Sequence, residues 1–381
     1  MNFPVNVQPF AVFDARVTNM LKILTEDDEE DEDDVGTGEL PQTQEQRNSF
    51  LLSQSGTFKL QDFAVNKQGI SASTKGSASS HTTAAVKSTV WIDVRSYDEL
   101  EFQEEIGTGA SSVVRRAVHG PSGQFVAVKQ IQILEKTKRD QMVSELRIMR
   151  THTCPWLVPL YNAFYEEATV SMVLEFMDGG SVATLVEKHA NGGLRDESEL
   201  AKIAVQMLNG VNYLHRQCHQ VHRDLKPANV MLNAKGQVKI SDFGISSQLD
   251  STTGFCSTFV GTACYMAPER LSGASYSYAS DIWSFGLIVL ELALGMYPYG
   301  KTDNYFKLMA NIMEMPPPGV PTEHFSDEFA DLISCCLDKD QERRPPAGVL
   351  LKHQWLKGRG PPIDPGQFVP GMFSNLTLSE E

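Results

Sequence analysis

The sequence predicts an α+β fold in two lobes, a strand-rich lobe followed by a larger helical one. Three observations carry this. β-Prone segments at 102–106, 113–118 and 125–131 are separated by glycine-containing turns, the pattern of consecutive antiparallel strands. Beyond Gly179 apolar residues recur at three- and four-residue spacing, which is the period of helices. The chain has 381 residues, 41% of them hydrophobic, enough for a sizeable core in one or two domains.

Taken in order, residues 1–95 form a segment set apart by composition: an acidic run, then Gln/Ser/Thr-rich sequence, then a stretch at 71–83 that is nearly all small or polar. Such a segment buries too little apolar surface to offset its chain entropy, so it is expected to be a largely flexible regulatory flank with short apolar islands at 10–24 and 50–63. The first lobe is placed at 96–178. After its three strands, 137–150 has helical spacing with Met142, Leu146 and Met149 on one face, and 158–164 and 170–176 read as two further strands. The second lobe is placed at 179–357, with helices at 197–215, 280–294, 305–313 and 328–337, and 358–381 is left as a tail. A strand block followed by a helix block argues for two lobes rather than one continuous sheet.

The formal net charge is −15, and nine of the acidic charges form one run from Glu26 to Asp34. Without that run the balance is −6, so a broad basic surface for nucleic acid or anionic lipid is not expected. The run itself reads as a solvated spacer. Six cysteines are scattered without C-x-x-C spacing, which suits a reduced intracellular protein. Residues 1–13 lack the pattern of a secretory signal. The most apolar stretch, 285–297, is interrupted by Glu291 and is too short to span a bilayer, so it reads as a buried helix.

The chemistry lies in motifs that recur in a fixed order. Gly107-Thr108-Gly109-Ala110-Ser111-Ser112-Val113 falls between two predicted strands, where glycines let backbone N–H groups approach a phosphate. Taken alone it fits a plain hairpin turn as well, and a strand after it disfavours a dinucleotide-binding turn. Ala127-Val128-Lys129 ends the third strand, and Glu145 on the following helix can hold the lysine ammonium. His222-Arg223-Asp224-Leu225-Lys226-Pro227-Ala228-Asn229 supplies a carboxylate, a cation and an amide oxygen. Asp242-Phe243-Gly244 begins eighteen residues after Asp224, and Ala267-Pro268-Glu269 closes the loop between.

With these motifs in this order, residues 102–356 resemble a eukaryotic protein kinase. The resemblance implies the bilobal kinase fold and two cofactors, ATP and Mg²⁺. Asp224 is then the base that accepts the substrate hydroxyl proton, and Lys226 faces the γ-phosphate. Lys129, held by Glu145, contacts the α- and β-phosphates, and Asn229 and Asp242 ligate the metal. ATP is bound by the phosphate loop and its flanks (Ile106, Gly107, Thr108, Gly109, Ala110, Ser111, Ser112, Val113 and Val114) and by Ala127. By the same resemblance Glu175 and Met177 present backbone groups to adenine, Leu174 guards the pocket behind it, and Met231 forms the floor. Glu269 and Arg344 form a buried structural ion pair.

Lys226 follows the serine/threonine and dual-specificity pattern. Phe259-Val260-Gly261-Thr262, Tyr265-Met266-Ala267-Pro268-Glu269-Arg270 and Ser280-Asp281-Ile282-Trp283-Ser284 resemble the MAP kinase kinases. So does Ser55-Gly56-Thr57-Phe58-Lys59 with Asn66-Lys67 downstream, an element that family carries ahead of its kinase domain. Membership implies phosphorylation of the threonine and tyrosine of a MAP kinase loop and activation by an upstream MAP kinase kinase kinase. Thr258 and Thr252 sit at the plant-type phosphosite spacing, whereas the animal-type partner position is Gly254. The alternatives are a general Ser/Thr kinase of the sterile-20 or MAP kinase kinase kinase type, and a signalling scaffold with weak catalysis. The location implied is cytoplasmic. Phe13, Val17, Leu21 and Ile23 have the spacing of a nuclear export element and equally of a short amphipathic helix. Cys256 and Cys264 flank the activation loop as candidate redox-sensitive thiols or as ordinary small residues.

Overall fold

The computed structural model describes residues 51–52, 57–59, 63–72, 91–109, 112–133, 136–190, 192–243, 263–275, 277–300, 302, 304–357 and 359. Ala110, Ser111, Thr252, Cys256, Thr258, the acidic run and the candidate export element lie outside them.

The N-lobe is built on an antiparallel sheet of β5 (Leu100–Thr108), β6 (Ser112–His119), β7 (Gln124–Gln132), β8 (Leu160–Glu166) and β9 (Thr169–Glu175), in the order β5-β6-β7-β9-β8. Alternation along β7 explains how one strand serves two faces. Ala127 and Ile131 point to a core shared with α1 (Lys136–Thr151), while Val126 and Val128 pack on the other side with Ile92, Val94, Phe164 and Val173. The apolar stripe of α1, Met142, Val143 and Leu146, is fully buried in the first of these cores.

Within the segment 1–95 that is expected to be largely flexible, the described residues 51–52, 57–59, 63–72 and 91–95 are ordered. Four short strands, β1 (Leu51–Leu52), β2 (Phe58–Lys59), β3 (Phe63–Asn66) and β4 (Gly69–Ala72), form an antiparallel meander, and Phe58, Phe63 and Val65 are buried in the core that contains α1. Burying each such side chain contributes about 1.5–3 kcal/mol, which offsets the ordering of a few residues. Ile92 and Val94 are likewise buried under the main sheet, so packing with the N-lobe begins before residue 96.

The C-lobe holds α2 (Val182–Lys188), α3 (Glu197–Arg216), α4 (Pro268–Leu271), α5 (Tyr278–Leu294), α6 (Tyr305–Glu314), α7 (Asp327–Cys336) and α8 (Ala347–Leu350). A small sheet of β10 (Gly180–Ser181), β11 (Val230–Leu232) and β12 (Val238–Ile240) lies on its upper side. α3 starts at Asp196, whose side chain accepts from the N–H groups of Ser198 and Glu199. α5 is buried along most of its length, which accounts for the apolar run read from the sequence, and it stops where Gly295 adopts φ 71°, a left-handed cap. Among the described residues no helix is long and apolar enough to cross a membrane.

Within this lobe the expected ion pair is present. Arg344 donates to Glu269 Oε1 at 2.8 Å and to Oε2 at 2.7 Å, and the arginine side chain is fully enclosed.

Candidate active site

Three neighbouring strands bring the phosphate loop and the lysine into one row. Gly107 on β5 pairs with Val114 on β6, and Val114 pairs with Lys129 on β7. Gly109 N–H donates to Ser112 O at 2.7 Å. Thr108 donates its hydroxyl to Glu105 at 2.7 Å. Ile106 is exposed on β5, and Ser112 and Val113 are half-buried on β6.

Lys129 Nζ donates to Glu145 Oε1 at 3.0 Å and Oε2 at 3.1 Å, and to Asp242 Oδ1 at 2.7 Å. Burial by itself would lower the lysine pKa, but the two carboxylates outweigh it and raise the value above that of an ordinary lysine. The ammonium is therefore charged at any physiological pH. Asp242 is pulled upward by burial and more strongly downward by the Lys129 charge and hydrogen bond, so it stays ionised. Glu145 is the more deeply buried carboxylate, and burial pushes it up against the pull of Lys129.

The loop from the C-lobe supplies a second cluster. Lys226 Nζ lies 2.8 Å from Asp224 Oδ2. Asn229 Nδ2 donates to the Asp224 carbonyl at 2.8 Å and to its Oδ2 at 3.2 Å, which leaves the amide oxygen of Asn229 as its ligand atom. Ser241 N–H donates to Asn229 O at 2.9 Å, joining this loop to the approach to Asp242.

Two residues here hold left-handed backbone, Arg223 at φ 71° and Asp242 at φ 55°. Such geometry costs of order 1–3 kcal/mol for a non-glycine residue and needs surrounding bonds to hold it. Asp281 on α5 supplies them at Arg223: it accepts from the N–H of His222 at 2.8 Å and of Arg223 at 3.1 Å, and its Oδ2 also meets His215 Nε2 at 2.7 Å. His222 in turn donates from Nε2 to Ser241 O at 3.0 Å. Asp281 and His215 were not assigned a role from sequence, although Asp281 lies in a motif that was read.

The apolar residues expected around adenine converge. Ala127, Leu174 and Met177 are buried in one cluster, and Val114 from β6 and Met231 from the C-lobe pack against it. Glu175 adds something sequence reasoning missed: its carboxylate pairs with Lys239, which is 1% exposed and lies on β12 opposite Met231. A single lysine between two valine-like positions in Val238-Lys239-Ile240 reads as a solvent-facing residue, so only the three-dimensional pairing reveals it. Cys264 is half-buried, and burial pushes its thiol up to about 11, which suppresses the reactive thiolate.

The carboxylates of Asp281 and Glu269 are both lowered in the fold: burial works against them, but His215 and Arg344 respectively more than compensate. A folded pKa below the unfolded one gives stability that is present above the unfolded value and lost as pH falls through the folded value. Melting temperature is therefore expected to be flat above about pH 5 and to drop steeply below about pH 4, and thermal melts across that range in wild type and in Asp281→Asn, whose slope should be shallower, check it.

A strand-rich lobe over a helical one, with the lysine, the two carboxylates and the amide gathered between them, defines a protein kinase, and residues 100–356 match the protein kinase domain family. The chain is 39% identical over 324 residues to the mitogen-activated protein kinase kinase SIPKK of Nicotiana tabacum, covering 83% of this chain and 89% of that one. It is 40% identical to mitogen-activated protein kinase kinase 2 of Arabidopsis thaliana, with 83% and 87% covered, and 42% identical to mitogen-activated protein kinase kinase 1 of the same organism, with 82% and 88% covered. The chain belongs to the MAP kinase kinase family, in its plant-type subgroup, and is an ATP-dependent protein kinase.

Proposed function

We propose that this kinase transfers the γ-phosphoryl group of ATP to both the threonine and the tyrosine of a MAP kinase activation loop, after an upstream MAP kinase kinase kinase has phosphorylated its own loop. The observation that carries phosphoryl transfer is the meeting of Lys129 on β7 with Glu145 on α1 and Asp242 on the loop after β12, within 2.7–3.1 Å, and the similarity to mitogen-activated protein kinase kinases supports the substrate class.

In this reading Lys129 holds the α- and β-phosphates. Its three N–H groups are taken up by Glu145 and Asp242, so nucleotide entry exchanges the Asp242 contact for phosphate while Glu145 keeps the ammonium aimed. Asp242 and the amide oxygen of Asn229 form a hard, all-oxygen donor pair that suits Mg²⁺. When bound, that ion neutralises charge on the phosphates. Asp224 accepts the proton of the attacking hydroxyl, and Lys226, 2.8 Å from it, offsets charge at the γ-phosphate. Val114, Ala127, Leu174, Met177 and Met231 enclose the adenine ring, with Glu175 and Met177 offering backbone groups to its edge.

The catalytic unit is assigned to 96–178 and 179–357, with 1–95 as a regulatory flank and 358–381 as a tail. The protein is assigned to the cytoplasm, and nuclear accumulation after an export block would add shuttling through an export element around Leu21. Loop activation is assigned to Thr252 and Thr258: each phosphate adds about −1.5 to −2 charges and pairs with Arg223, next to the base. The Thr252→Ala/Thr258→Ala double variant is expected to resist activation by an upstream kinase in a coupled assay, and full activation would place the switch elsewhere. Offering a folded MAP kinase alongside generic Ser/Thr peptides tests the substrate class, with phosphorylation of the folded partner alone expected.

A further inference from the structure

Glu145 reaches Lys129 only while α1 lies against the sheet, and the core between them also takes in side chains of an element the catalytic motifs do not touch. Met142, Val143 and Leu146 share one core with Phe58, Phe63 and Val65 of the β1–β4 meander. We propose that the strands β2, β3 and β4 form a brace that holds α1 in its catalytic position, so that turnover depends on its docking. The inference rests on the reading of Lys129–Glu145 as the phosphate-holding pair.

The fastenings are specific. The Arg150 guanidinium at the end of α1 lies over the Phe63 ring, 5.2 Å from its centre, and the Phe58 ring lies 5.9 Å from that of Tyr165 on β8. At the irregularity in β8 between Leu160 and Asn162, the Asn162 side chain serves two segments at once. Its Oδ1 accepts from Ile70 N–H at 3.0 Å, and its Nδ2 donates to Val94 O at 2.7 Å. Gly69 makes the approach possible: it has φ +108°, and a Cβ there would lie 2.7 Å from the Asn162 amide. Lys67 pairs with Glu166 at the outer edge.

The join is incompletely filled. A cavity of about 270 Å³ opens between Ile70 of the brace, Ile148 and Met149 of α1, Leu160, and Phe243 beside the metal-ligand position. Without the meander this shared core loses Phe58, Phe63 and Val65, and α1 loses the Arg150–Phe63 contact, which frees the helix to shift on the sheet and carry Glu145 off Lys129.

Turnover of the full-length, loop-phosphorylated protein tests this. Phe58→Ser/Phe63→Ser is expected to lower kcat about tenfold with the protein-substrate KM within about twofold, to speed hydrogen exchange across 142–151, and to regain kcat when a peptide of residues 50–73 is added. Because removing two aromatic rings can unfold the lobe, the surface variant Lys67→Glu gives an independent reading: kcat down about two- to fivefold, restored by adding Glu166→Lys. Unchanged kcat in both variants overturns the brace, as does a kcat loss confined to the first variant that the peptide does not restore. An inactive wild-type protein would instead overturn the reading of the Lys129–Glu145 pair.

Discussion

Replacing Asp242 by Asn is expected to lower phosphoryl transfer about a thousandfold, ~4 kcal/mol of transition-state stabilisation, while leaving the fold in place. The substitution removes one negative charge from the proposed metal site and changes the side chain's shape little. Asn also tolerates the left-handed backbone that this position holds at φ 55°, so no strain is added. Lys129 keeps both oxygens of Glu145. Steady-state ATP turnover and a thermal melt on the same preparation check the two halves of the expectation, with the midpoint within about 2 °C of wild type. Undiminished turnover would remove Asp242 from the mechanism.

Glu269→Ala is expected to have the largest effect on stability. Arg344 is fully enclosed, and besides Glu269 it has three carbonyls, those of Asp338, Ala279 and Lys339, and the Trp283 ring 5.1 Å away. None of these carries a negative charge. Removing Glu269 leaves a buried guanidinium without its counter-ion, at a cost of about 3–5 kcal/mol, and lowers the melting temperature by roughly 10 °C for a catalytic unit of this size. Adding Arg344→Met should recover much of the loss, because the pair replaced by apolar side chains leaves no stranded charge. A double-mutant cycle by denaturant unfolding measures it, and a loss below about 1 kcal/mol for Glu269→Ala would show the pair to be energetically idle.

Much of the site was legible because its residues come in short contiguous motifs. Each motif lies on one loop or strand end, so Asp224, Lys226 and Asn229 are brought together by local chain alone. The five strands of the N-lobe and the long helices were equally readable, since their apolar residues repeat at periods of two or of three and four. What escaped depends on contacts distant in sequence. The β1–β4 meander has strands of two to four residues, too short for a period to register, and its order comes from Phe58 meeting Tyr165 of β8 and Phe63 meeting Arg150 of α1, both far along the chain. The Glu175–Lys239 pair needs a lysine buried on both sides, against the ordinary preference of that residue. Asp281 was visible only as part of a resemblance, because its work is to accept main-chain N–H groups from a loop about sixty residues earlier.

Dual-specificity transfer to a MAP kinase loop separates this kinase from a general Ser/Thr kinase. Its most direct test is mass spectrometry of a folded MAP kinase after incubation with the loop-phosphorylated protein, ATP and Mg²⁺, with Asp242→Asn run in parallel. Phosphate is expected on both the threonine and the tyrosine of the partner's loop, and at most a trace from the variant. Phosphate on serine or threonine elsewhere, with the loop tyrosine unmodified, would contradict it.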